Sequence, residues 1–132
     1  MSKFSSIREF AEAYTAAWCS QDPASVASFF EVDGSLAVND GAPAVGREAI
    51  TDVAQGFMTD LPDMKVFLDE VVTRNGGAIY RWTLTGTNTG PGGTGRSIRI
   101  SGFEEWQTGA NGLIAKSSGH FDAEDYARQI GS

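Results

Sequence analysis

The chain of 132 residues is poor in the residues that most often build covalent staples and metal centres. It has one cysteine, Cys19, so no internal disulfide can form, and this fits a reducing compartment. It has one histidine, His120, and one His with one Cys cannot make a zinc site of the usual type. No carboxylate motif points to a harder cation, so no metal and no cofactor is expected. There is no run of Lys or Arg, and the net charge is −7, which disfavours non-specific binding to nucleic acid or to an anionic membrane. No apolar run reaches the length of a membrane span. The polar start Met1-Ser2-Lys3-Phe4-Ser5-Ser6 does not read as a signal peptide. A cytoplasmic location is therefore expected. The Gly-rich stretch Gly90–Gly95 lacks Walker spacing and the strand–loop–helix setting of a dinucleotide fingerprint.

What is present is a single domain's worth of core. Hydrophobic residues make up 41 %, with eight Phe and three Trp as anchors. Ile7, Phe10, Ala11, Tyr14, Ala17 and Trp18 form one helical stripe, capped by Ser5 or Ser6. Asp22-Pro23 reads as an N-cap and first helical position. The short helix it opens is expected to bury Val26, Phe29 and Phe30. A short strand follows at Ser35–Asn39. A third helix runs from Arg47 to Met58 with the stripe Ile50, Val53, Ala54, Phe57 and Met58.

From Met64 the period becomes strand-like. Met64–Arg74 and Ala78–Thr87 flank the hairpin turn Asn75-Gly76-Gly77. After the Gly-rich loop, read as a flexible hairpin loop or lid, come two long strands. These are Ser97–Thr108 and Leu113–Phe121, and a short helix over Asp122–Gln129 closes the chain. Helices first and antiparallel strands after argue an α+β fold: helices packed in a curved sheet, a cone with an open end.

The two-residue period puts Ile98, Ile100, Gly102, Glu104 and Trp106 on one face. It puts Ile114, Lys116, Ser118, His120 and Asp122 on one face of the next strand. Glu104 and Asp122 are thus candidates for carboxyls in a half-apolar setting, costly unless paired or used. For Asp122 the roles are a general base of raised pKa or the N-cap of the last helix. Glu104 is a pocket acid, or it lies in solvent if the strand slips and buries Phe103. His120 is a proton carrier near neutral pH or a structural rim residue. Tyr14 and Trp18 are core residues, with Tyr14 able to aim its hydroxyl at a pocket.

The run Leu61-Pro62-Asp63-Met64, Arg81-Trp82-Thr83-Leu84-Thr85-Gly86-Thr87, Thr94-Gly95-Arg96 and a strand ending in Phe121-Asp122 resembles the SnoaL-like polyketide cyclases. These belong to the nuclear transport factor 2-like superfamily. The resemblance spans nearly the whole chain. It implies a cone with a deep, mostly apolar pocket for a small apolar molecule, lined by Tyr14, Trp18, Phe57, Trp82, Trp106 and His120. It implies acid/base catalysis beside a carbonyl, as in cyclases and isomerases, with Asp122 as acid/base and Glu104 near it. Non-catalytic ligand binding or dimerisation is the alternative, and a homodimer is expected from the resemblance alone. The chain departs from the family where many members carry Glu and then Trp on the last strand, for it has Lys116 and Ser118. The cyclases' His on the preceding strand falls on Glu104 or Glu105. The general-base position of the ketosteroid isomerases falls near Val38.

Overall fold

A computed structural model describes residues 6–131. Helix α1 (Ile7–Cys19) is followed by α2 (Pro23–Ala27), strand β1 (Phe30–Val38), the two-residue strand β2 (Ala44–Val45) and α3 (Arg47–Asp60). Four long strands come next: β3 (Lys65–Arg74), β4 (Gly77–Thr87), β5 (Ser97–Thr108) and β6 (Ile114–Phe121). Helix α4 (Ala123–Ile130) ends the described chain. The fold is α+β, a curved, unclosed sheet in the order β2-β1-β6-β5-β4-β3 with helices packed in it.

Local chemistry sets the helix ends. Ser6 Oγ accepts from the Glu9 N–H at 3.1 Å, and Asp22 accepts from the Ala24 N–H with Pro23 at the first helical position. Ser5, the other candidate cap, lies outside the described residues. The second helix stops at Ala27, so Phe30 is buried from the first position of β1, not from a helix. Phe10, Ala11, Tyr14, Ala17 and Trp18 are buried, as their stripe requires. The third helix runs two residues past Met58.

The first strand and the Gly-rich loop differ from their sequence reading. The first strand begins at Phe30 rather than Ser35, because it pairs in parallel with β6 from Phe30↔Ile114 onward, across a register break before Ser35. A long-range parallel partner leaves no local sequence signal. The Gly-rich loop is tied down rather than open. Asn88 is buried, its side chain accepts from the Thr94 N–H at 2.8 Å, and the Gly95 N–H donates to its carbonyl at 2.7 Å. A Cβ on Gly90 would stand 2.0 Å from the Thr59 carbonyl, so the loop packs against the end of α3.

The β3–β4 turn places Asn75 and Gly76 at positive φ, and β4 pairs with β5 without a break from Gly77↔Gln107 to Thr87↔Ser97. That regular ladder keeps the face of β5 as read: Ile98, Ile100, Glu104 and Trp106 are all buried. The β5–β6 ladder is irregular. Thr108 pairs with Ile114 but Gln107 pairs with Lys116, so Ala115 is an extra residue in a bulge.

Candidate functional site

The bulge decides which side chains of β6 face inward. Beyond it the buried positions are Ser117 and Gly119, while Lys116 is exposed. His120 opposes Phe103 across the ladder, stacks on its ring at 4.8 Å, and lies 3.2 Å from Glu105 Oε1. The expected inner face of β6 is therefore its outer face from Lys116 on. His120 borders the cavity, but its ring is engaged outside it.

The cavity holds about 70 Å³ of water-accessible space inside the cone. Helix α1 supplies Trp18, α3 supplies Phe57, and β4 supplies Tyr80 and Trp82. Glu104 comes from β5 and Phe121 from the end of β6, with aliphatic side chains between them. Trp82 lies over Gly102, its directly paired neighbour on β5, where a Cβ would come within 2.6 Å of the ring. Trp18 meets Phe57 edge-on at 6.2 Å between ring centres.

Glu104 is the buried acid of this site. Its Oε1 accepts from the Tyr14 hydroxyl at 3.0 Å, the Trp106 Nε1–H at 2.9 Å and the Ser117 hydroxyl at 2.8 Å. Its Oε2 has one longer contact, from Tyr14 at 3.3 Å. Burial pushes the Glu104 pKa above its ordinary value, and the donors from Trp106, Ser117 and Tyr14 only partly oppose that. Tyr14 is wholly buried and its own pKa is raised well above the ordinary value, chiefly by burial and then by Glu104. Tyr14 and Trp106 therefore stand behind the acid as its donors rather than at the cavity wall. Tyr80 stacks on Trp106 at 4.9 Å and shares a 2.6 Å hydrogen bond with Thr15.

Asp122 lies elsewhere. It is exposed, and its Oδ1 accepts from the Asp125 N–H at 3.0 Å, which makes it the N-cap of α4. It belongs to an open groove that adjoins the cavity through Trp82, His120 and Phe121. The strand has already ended at Phe121, so the two-residue period no longer governs where its side chain points. Glu104 and Asp122 do not share a site. Ser117, a Glu104 partner, is brought inward by the bulge, whereas strict alternation from Ile114 would send it outward. Among the described residues, no three His, Cys, Asp or Glu side chains gather into a group that could hold a metal ion. No helix among them is long and apolar enough to cross a membrane.

This open cone of helices in a curved, mixed sheet is the nuclear transport factor 2-like fold. Residues 11–117 match the SnoaL-like domain family, and the chain belongs to that family. No curated protein sequence matches it. Several solved structures share the fold. A hypothetical protein with a ketosteroid isomerase-like fold from Catenulispora acidiphila, solved with trimethylamine, superposes with a TM-score of 0.82 at 18 % identity, over 93 % of this chain and 92 % of that one. TsrD from Streptomyces laurentii gives 0.81 at 22 % identity, over 95 % and 94 %. A candidate polyketide cyclase from Xanthomonas campestris pv. campestris gives 0.69 at 22 % identity, over 96 % and 100 %.

Proposed function

We propose that the chain takes a small apolar carbonyl compound into the cone and moves one of its protons with Glu104. The observation that carries this reading is the Glu104 carboxyl itself. It sits in an apolar cavity with its pKa raised, Oε1 filled by three donors and Oε2 nearly free. A carboxyl tuned upward is a better proton carrier near neutral pH than an ordinary one.

The reaction class that suits a single carrier uses it twice. Glu104 removes a proton from the carbon beside the carbonyl, and the electron pair moves onto the carbonyl oxygen as an enolate. Protonated Glu104 then returns the proton to another carbon, or to the alkoxide formed when the enolate closes a ring. Tyr80, the other titratable group at the wall besides His120, has its hydroxyl tied to Thr15 and its pKa pushed up by burial. The reading gives Asp122 no part in proton transfer, since it caps α4. Membership of the SnoaL-like family supports the same class of chemistry.

The test follows deuterium uptake from heavy water into the carbon beside the carbonyl of cyclic ketones and 1,3-diketones, by NMR. The expected outcome is exchange faster than in buffer for at least one compound, lost in Glu104→Gln and kept in Asp122→Asn. If no compound exchanges faster with the native protein than with Glu104→Gln, the reading fails.

A further inference from the structure

The cavity surface is almost entirely carbon, and much of it is aromatic. Trp18, Phe57, Tyr80, Trp82 and Phe121 bring rings to it from four different elements. The polar ends of these rings offer a ligand little. The Tyr80 hydroxyl is shared with Thr15, and the Trp18 Nε1–H is covered without a hydrogen-bond partner. The His120 ring stacks on Phe103, and its Nε2 lies against Glu105. Glu104 is the acid at this wall, and once ionised it accepts but does not donate.

We propose that this cavity binds small alkylammonium cations, with the aromatic rings around the alkyl groups and Glu104 as the counter-ion. Aromatic faces attract a cation through the ring quadrupole, most strongly where water is excluded. The alkyl groups match the carbon wall, and the positive charge relieves a buried carboxylate of having no ionic partner. The space is small, about 70 Å³, so only compact ions of a few heavy atoms can enter it. The net charge of −7 favours the approach of a cation from any side. This inference does not depend on the proposed reaction, because a cone that performs no chemistry would still bind the cation. If the reaction occurs, the cation competes with substrate for the same carboxylate.

The experiment titrates the native chain with tetramethylammonium chloride at constant ionic strength and follows the N-methyl protons by NMR. A parallel titration uses tert-butanol, a neutral molecule of similar shape. The expected result is saturable binding with an upfield ring-current shift of the methyl protons, and binding of tert-butanol weaker by at least about tenfold. Glu104→Gln, checked for folding by circular dichroism, weakens cation binding by a similar factor. Trp82→Ala reduces the ring-current shift. Should the native protein show no saturable shift up to about 50 mM, or bind tert-butanol equally well, the proposal is overturned. The same holds if folded Glu104→Gln binds the cation as tightly as the native chain. The tert-butanol comparison needs no variant, so it decides even if a substitution unfolds the protein.

Discussion

The Tyr14 hydroxyl lies 3.0 Å from Glu104 Oε1, a buried hydrogen bond that fastens the middle of α1 to the middle of β5. Tyr14→Phe removes this donor and leaves those of Trp106 and Ser117. Hydrogen bonds to a carboxylate favour its charged form, so the variant pushes the Glu104 pKa further up. The expected loss of stability is about 1 kcal/mol where Glu104 is protonated and about 1.5–3 kcal/mol where it is charged. Urea unfolding over a series of pH values from 4.5 upward measures this. A loss that stays constant over the whole series would show that the hydroxyl does not sense the charge on Glu104.

Glu104→Gln tests the same carboxyl by linkage. Its folded pKa stands above the ordinary value of 4.5, so the folded state holds a proton that the unfolded chain releases. Stability from this group is therefore fully present below 4.5 and falls as pH rises through the folded pKa. Gln stays neutral and keeps an acceptor for the three donors. The variant should match the native chain near pH 4.5 and melt at an increasingly higher temperature than it as pH rises. Asp63 has the opposite sign, since its hydrogen bonds from Thr87 lower its pKa. Its contribution is present above its ordinary pKa and lost as pH falls, equally in both proteins, so it cancels in the comparison. A variant less stable than the native chain by the same amount at every pH would refute the assignment.

Much of this architecture could be read from the chain because local signals agreed with one another. The stripe of α1, the Asp22-Pro23 start and the Asn75-Gly76 turn each appear where the residues put them. The face of β5 was legible because β5 pairs with β4 in an unbroken register, so the two-residue period holds from Ile98 to Trp106. The face of β6 was not. A single extra residue at Ala115 exchanges the inner and outer sets beyond it, and no residue type there marks a bulge. That one step moved His120 outward and brought Ser117 to Glu104. For Asp122, the acids Glu124 and Asp125 in the following turn did suggest a cap, and the structure puts the side chain in that position. The parallel pairing of β1 with β6 joins residues far apart in sequence, which no local pattern encodes.

Asp122 gives a prediction that separates cap from cavity. Asp122→Asn retains a side-chain oxygen for the Asp125 N–H and should be nearly neutral in a thermal melt. Asp122→Ala leaves that N–H without its acceptor and should cost about 0.5–2 kcal/mol. Neither change should alter tetramethylammonium binding beyond its effect on folding, because Asp122 is absent from the cavity wall. A folded Asp122→Asn that loses cation binding would place the carboxylate in the site after all.

Gly102 links the packing of the sheet to the shape of the cavity. An added Cβ would stand 2.3 Å from the His120 carbonyl oxygen and 2.6 Å from Trp82 Cζ2. The indole edge can give way by turning, but the carbonyl is held in the β5–β6 ladder, where Gly102 pairs with Phe121. Gly102→Ala should therefore cost about 1–3 kcal/mol, as overpacking does where the backbone must shift. Because Trp82 lines the cavity, the turned ring should also occupy part of it. The combined expectation is a lower melting temperature together with weaker tetramethylammonium binding and a changed Trp fluorescence. A variant that loses stability but keeps both the binding and the fluorescence would mean that Trp82 does not shape the space beside Glu104.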